Sequence, residues 1–472
     1  MSIGTVAGLV FTYAFSSLAI FLSTARWLRT SEEEAPRLFF LTLGTGPVAV
    51  SWLLTRSCQF FPGRSDLFHV VGVGACFGVL FLVGTPKLRL FLALWARLRQ
   101  YLSALDAPGR WPARLIVAAV ACMLLFVLLQ SLCIPLKDND PLQYAKLSQL
   151  FHRHNTIPAL PFAEADPETG FYWPSSHPVG YPSLILWSYM IQGSDASPGT
   201  MRLIAPAFTT YTLLLLWHLL SGRGYVSGPA AMLLLLATPL AFLLTAVSHV
   251  DPLRVYTFFL AFAWLAEALR RPTVPVLVLS GLVVGLSMFS HAIGLITLPI
   301  FVFIYFIKSR EPFFGRVRQL GLVVLAALVL GGPRYFQNCL AYGAPVGDTC
   351  QVWELPKLRY TDYLRHQRQL ATARDRLVNG ALSPFVRPRL FGFSYWLLPV
   401  ALVCTYRSNR RDLLSSVVLW VILSFFALVA VSLAAGTDLI IKNFRYFFTV
   451  QPFVVYFGGL FFGTVYEKFV GE

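Results

Sequence analysis

Apolar runs of about 20 residues recur along this chain. Each is long enough to cross a hydrocarbon layer of about 30 Å, and most are apolar on every face rather than on one stripe. The pattern predicts transmembrane helices near 5–25, 38–55, 67–86, 115–134, 202–220, 229–248, 251–270, 273–290, 292–307, 319–333, 391–406, 413–434 and 447–466. Other stretches follow different patterns. Residues 178–192 are apolar but short and carry Pro178 and Pro182, which suits a re-entrant or interfacial helix that does not cross. Residues 141–152 alternate as a short amphipathic helix, with Leu142, Ala145, Leu150 and Phe151 expected toward lipid. Gln143, Lys146, Gln149 and Arg153 are expected toward water. Residues 87–105 read as a basic amphipathic helix on the inner leaflet, and Arg359, Arg365, Arg368, Arg374 and Arg376 fall in a further expected helix.

Composition supports this picture. The 472 residues are 56% hydrophobic and only 13% charged, against about 25% charged for a soluble domain. The fold class is therefore an all-α polytopic membrane protein of about 13 helices. The net charge of +16 would suggest nucleic acid in a soluble protein, but cytoplasmic loops of membrane proteins collect Lys and Arg, and no nucleic-acid partner is expected. The first apolar run lacks a basic leader and a small-residue cleavage site and reads as a permanent helix. The seven cysteines have no zinc-like spacing. Cys339 and Cys350 fall together in one polar loop, and a disulfide between them is expected on the oxidising side.

The basic clusters set the sides. Lys87, Arg89, Arg97, Arg99, Arg110 and Arg114 crowd one loop, and Lys308, Arg310, Arg316 and Arg318 another. Arg270 and Arg271, and Arg407, Arg410 and Arg411, mark two more. Alternating helices place all four in the cytoplasm. Two long outer loops follow, 136–176 and 332–390. The chain then divides into N-terminal helices (1–114), a core (115–331), the second outer loop (332–390) and C-terminal helices (391–472).

Several polar residues stand at outer helix ends, where each has a plain and a chemical reading. Asp140-Pro141 and Asp251-Pro252 suit helix caps with proline at the first helical position. They equally suit carboxylates placed for chemistry at a membrane surface. Asp138 makes a pair with Asp140, and Tyr144 lies four residues on, on the same helical face. His177 enters the proline-bounded segment that contains Tyr181, and His291 lies between two apolar helices. Arg334 and Arg445 are either interfacial anchors or phosphate clamps.

These residues carry a family resemblance. Asp140-Pro-Leu-Gln-Tyr144-Ala145 resembles the Asp-x-x-x-Tyr-Ala start of the first outer loop in lipid A aminoarabinose transferases and related GT-C glycosyltransferases. His177-Pro-Val-Gly-Tyr181-Pro182 resembles the Lys/His-Pro-Pro-Leu element that ends that loop there and in protein O-mannosyltransferases. Ser248-His249-Val250-Asp251 resembles the second acidic motif. Gly332-Pro333-Arg334-Tyr335 through Asn338, followed by Tyr342-Gly343-Ala344-Pro345, is similar to Pro-Trp-Tyr-x-x-Asn…Tyr-Gly-x-Pro. Asn443-Phe444-Arg445-Tyr446 with Pro452 is similar to the late Arg-Tyr…Pro element. The chain departs from the pattern in its extra N-terminal helices, in Val179 where a second proline is usual, and in histidine where the aminoarabinose enzymes have lysine. The resemblance implies an inverting transferase in a bacterial inner membrane, working on the periplasmic face. It would move a sugar from a polyprenyl-phosphate donor to a lipid, glycan or protein acceptor. Asp140 would be the general base, with Asp138 as the alternative. Asp251 would orient the acceptor or hold a divalent metal, whose involvement the resemblance leaves open. Arg334, Arg445, His177 and His291 would contact phosphate, and Tyr144 and Tyr181 would position substrate. A transporter or flippase of an anionic lipid-linked glycan, or a polymerase or ligase using a diphosphate donor, are the alternative readings.

Overall fold

The computed structural model describes residues 2–104, 110–136, 139–157, 178–342, 377–409, 412–434 and 444–470, together with positions 345, 349–350, 358–359, 372 and 374. Asp138 and His177, and most of the arginine-rich stretch of the second loop, lie outside them. Among the described residues the protein is helical, apart from a two-residue antiparallel ladder that pairs Thr349 with Arg359 and Cys350 with Leu358. Arg359 therefore sits in an extended pair and not in the helix expected there.

The helices are α1 (Ile3–Trp27), α2 (Ala35–Thr42), α3 (Thr45–Phe60), α4 (Asp66–Gly84), α5 (Leu88–Ala104), α6 (Trp111–Cys133), α7 (Asn139–His154), α8 (Gly180–Gln192) and α9 (Ile204–Leu220). There follow α10 (Ser227–Leu236), α11 (Pro239–Ala246), α12 (Asp251–Arg270), α13 (Val274–Ser290), α14 (Thr297–Lys308) and α15 (Phe313–Tyr342). The chain ends with α16 (Ser394–Asn409), α17 (Leu413–Ala434) and α18 (Gln451–Val470). Among the described residues, eight helices are long and apolar enough to cross a membrane, or up to ten if each of two bent pairs is one span. Three more of the expected spans fall on apolar helices of 10–17 residues, too short to qualify by length.

The two bends have local causes. The α10–α11 pair turns by 66° at Thr238-Pro239, where proline opens the second helix and cannot continue the first. The α2–α3 pair turns by 44° at Gly44, whose N–H donates to Tyr256 Oη at 2.9 Å. A Cβ there would lie 2.5 Å from the Tyr256 ring, so only glycine lets α12 approach this closely.

The axis of the bundle is α12. In the window that qualifies it as a span, 94% of residues are buried, against 17% for α6 at the periphery. A helix so enclosed can carry Asp251, Arg254 and Glu267 without presenting charge to lipid. One apolar core runs from Leu9 to Leu460, so the N-terminal helices and the rest share an interior.

Polar bonds reinforce that union. Ser51 Oγ of α3 donates to Gly180 O at 2.6 Å, and Thr55 and Ser183 share a 2.8 Å hydrogen bond. Helix α8 has 13 residues and is buried from Gly180 to Met190, enclosed by protein rather than lying on lipid. Helix α7 packs on it: Tyr144, Ala145, Leu147, Ser148 and Phe151 are buried, and Ser148 Oγ donates to Pro182 O at 2.8 Å. The lipid-facing role expected for Ala145 and Phe151 is thus replaced by a protein-facing one. Apolar periodicity identifies a buried face but not what buries it. The basic helix at 87–105 is present as α5. The expected disulfide is not formed: α15 stays helical to Tyr342 and presents Cys339 on an exposed face as a free thiol.

Candidate functional site

Three distant parts of the chain meet at one end of the bundle. Helix α7 brings Asp140, the turn before α12 brings His249 and Asp251, and the turn before α18 brings Arg445. Arg445 Nη2 lies 2.5 Å from Asp140 Oδ2, and Arg445 Nη1 lies 2.8 Å from His249 Nε2. His249 Nε2 is also 3.2 Å from Asp140 Oδ2, and its Nδ1 is 3.2 Å from Asp251 Oδ2. Arg254 Nη1 is 2.7 Å from Asp251 Oδ1, and Arg445 Nε reaches Asp251 Oδ2 at a longer 3.9 Å. His249 is thus the bridge between two carboxylates, each already facing a guanidinium. Two acids and two bases cancel, so a proton on His249 is the one uncancelled charge among these five groups.

Local sequence sets this geometry. Asp251 begins α12 with Pro252 in the first turn, but its side chain makes no cap to the helix. The cap reading gives way because His249 and Arg254 claim the carboxylate. Ser248 adopts φ +58°, a left-handed conformation that a non-glycine residue holds only when its surroundings impose it. Tyr181 Oη donates to Ser248 O at 2.5 Å, and Ser131 and Ser248 hydroxyls lie 3.3 Å apart. Both contacts pin the turn that aims His249. Arg254 Nη2 also donates to Arg445 O at 3.2 Å, and its guanidinium lies 5.0 Å from the Tyr446 ring centroid. One buried arginine therefore fixes both the Asp251 carboxylate and the backbone that carries Arg445.

The electrostatics separate the two carboxylates. The Asp251 side chain is fully buried, whereas that of Asp140 is 28% exposed, so Asp140 is the one an incoming molecule meets. Burial alone would raise the Asp140 carboxyl. The hydrogen bond with His249 and the charge of Arg445 outweigh it and hold the group well below the usual carboxylate range. Burial pushes His249 toward the neutral form, but Asp251 and Asp140 win, and its proton affinity is raised despite the opposing charge of Arg445.

The other expected residues divide. Tyr144 is buried and packs edge-on against Tyr181, ring centroids 5.6 Å apart. Tyr181 is buried, and its hydroxyl donates to Ser248 O, which braces the His249 turn. His291 lies beside Tyr446, centroids 6.2 Å apart, and its Nδ1 accepts from Ile293 N–H at 3.1 Å, capping a short helical turn. Arg334 is buried and precedes Tyr335, whose hydroxyl donates to Met288 O at 2.7 Å, so its backbone lies beside the His291 end of α13. Asp138 and His177 lie outside the described residues.

The described donors do not fit a divalent cation. Among the described residues, no group of three or more His, Cys, Asp or Glu is arranged to hold a metal, and each carboxylate here is engaged by a guanidinium. Sequence reasoning missed His249 and Arg254 as site residues. The available signal was spacing: His249 is two residues before Asp251 and Arg254 one helical turn after it, so all three must share one helix start. Compared with protein-family models, curated proteins and solved structures, the chain has no match.

Proposed function

We propose that this protein is an integral membrane glycosyltransferase. It would move a sugar from a polyprenyl-phosphate donor to an acceptor hydroxyl, at the end of the bundle where Asp140 lies. In the topology drawn from the basic loops, that end faces the periplasm of a bacterial inner membrane. The reading is carried by one observation: Asp140, His249, Asp251 and Arg445 converge there, at the positions on which the resemblance to GT-C transferases rests.

In this mechanism the acceptor hydroxyl attacks the anomeric carbon. A new C–O bond forms, the bond from that carbon to the phosphate oxygen breaks, and its electron pair leaves with polyprenyl phosphate. Direct displacement inverts the anomeric centre. The hydroxyl proton passes to Asp140. A carboxylate so strongly stabilised by Arg445 is a weak final acceptor, and His249, 3.2 Å away, can take the proton on only when its ring starts neutral. Asp251 then stabilises the resulting imidazolium. Arg445 supplies preorganised positive charge for the departing phosphate, Arg334 is a second candidate guanidinium, and His291, its Nδ1 accepting from Ile293 N–H, can offer a neutral Nε2–H donor.

The test is transfer by the purified protein from radiolabelled polyprenyl-monophosphate sugars to a mixed pool of lipid and glycan acceptors. Transfer by the wild type, lost in both Asp140→Asn and His249→Gln, supports the reading. Full transfer in both folded variants overturns the assignment of the site. Energised movement of a lipid-linked glycan without bond cleavage would favour a transporter instead.

A further inference from the structure

A second feature lies at the opposite end of the spans. Helices α6, α10 and α18 leave a cavity of about 380 Å³ between them. Its walls are almost wholly apolar, formed by Ile116 of α6, Ala230 and Leu233 of α10, and Phe462, Val465 and Tyr466 of α18. Phe462 of its lining is on the exposed surface of the bundle. Helix α18 starts after the Arg445 turn and reaches the groove only at Phe462, so about 17 Å of helix separates the groove from that turn.

The chemistry at the groove mouth is not neutral. Arg110 precedes α6, its guanidinium 3.5 Å from the Tyr225 ring centroid and donating to Tyr225 Oη at 2.5 Å. Tyr225 adjoins Val226, which lines the groove. Arg114 lies one turn further on α6 and is exposed, as is Lys468 near the end of α18. Among the described residues two carboxylates share this end: Glu467 lies against Gly224, and Asp412 is paired with Arg223. Exposed Trp111, Tyr225 and Phe469 surround the arginines, as aromatic residues do at headgroup depth. An apolar slot between span helices, with cations and aromatic rings at its mouth, matches a molecule with an acyl chain and an anionic head.

We infer that this groove is a binding site for an anionic glycerophospholipid, with one acyl chain between α6, α10 and α18 and its phosphate against Arg110 and Arg114. The proposal is independent of the transferase reading, because neither the groove nor its cations touch the Asp140 cluster.

The experiment uses the full-length protein, delipidated and returned to nanodiscs containing equal phosphatidylglycerol and phosphatidylcholine. Lipid retained after ejection is counted by native mass spectrometry. The wild type is expected to retain phosphatidylglycerol in preference to phosphatidylcholine by about tenfold or more, as two interfacial cations provide. Leu233→Trp, which fills a half-buried part of the groove, should abolish retention. The Arg110→Gln/Arg114→Gln double variant changes only the groove mouth. It should remove the preference while leaving helical content unchanged. Equal retention of both lipids by the wild type overturns the proposal. So does an undiminished preference in the double variant, or displacement of phosphatidylglycerol by equimolar polyprenyl phosphate.

Discussion

Helix α12 carries an ionic cluster at each end, and the two are built differently. At its start, Asp251 and Arg254 are fully buried and join His249, Asp140 and Arg445. At its close, Glu267 takes Arg37 at 2.6 Å and Arg271 at 2.6 Å, and Arg271 also pairs with Glu34. There the cations are about a third exposed, at 32% and 38%, so water and salt screen them. The second cluster ties α2 to α12, a task also served by Trp264 Nε1 donating to Leu41 O at 2.9 Å. Among the described residues it contains no histidine, and its open carboxylate, Glu34, faces Arg271 alone. Fastening needs paired charges alone. The first cluster adds a titratable imidazole that bridges two carboxylates, at the cost of burying charge.

The comparison breaks most directly at Arg254. Removing it strands Asp251 in the bundle axis, so Arg254→Met should cost about 3–5 kcal/mol of stability in denaturant unfolding. The paired Asp251→Leu/Arg254→Met variant should recover much of that loss while remaining inactive. If Arg254→Met unfolds no more easily than Arg271→Met, the two ends are equivalent and the contrast fails.

Asp140→Asn comes next. Turnover should fall by about 10²-fold or more, with helical content unchanged and a lower melting temperature as the charge pairing with Arg445 and His249 is lost. The control Asp138→Asn should retain most activity in the same transfer assay.

A third effect depends on pH. The proton affinity of His249 is raised above its ordinary value of 6.5, so its folded form holds a proton more tightly than the unfolded chain does. The resulting stability is full below 6.5 and declines as pH rises through the higher folded value. The wild-type melting temperature should therefore fall on the alkaline side of 6.5. His249→Gln should flatten that slope, and an unchanged slope would assign it to another group. Asp140 works the other way. Its depressed carboxyl stabilises the fold above its ordinary value of 3.8 and is lost only in strong acid.

The smallest effect belongs to the far end. Arg271→Gln should cost no more than about 1 kcal/mol, given exposure and the remaining Arg37 partner, with transfer activity unchanged.

The apolar pattern located the helices well, because length and hydropathy are what a bilayer requires. It placed 251–270 where α12 lies and anticipated the break at 229–248 only as one span. Proline at Thr238-Pro239 was visible, but a 66° bend depends on what packs beyond it. Of the site, Asp140, Asp251 and Arg445 were legible as charged residues at helix ends. His249 was not, since a histidine beside an apolar run is unremarkable until two carboxylates are found on either side of it. Tyr181 was singled out, but its bond to Ser248 O was not visible. Nothing in the sequence tells whether a phenol points at a ligand or at Ser248 O.

The spacing of Asp251 and Arg254 also bears on how the chain is made. A helix entering the bilayer with a lone aspartate would carry an uncompensated charge. The i,i+3 pair, at 2.7 Å, neutralises α12 from within itself. Arg445 is synthesised 191 residues after Arg254 and 305 after Asp140. The central span can thus be inserted early and unaided, while Asp140 and His249 stay without their guanidinium. The site becomes complete only when the Arg445 turn arrives, so a nascent chain holds the scaffold for chemistry before it holds the chemistry.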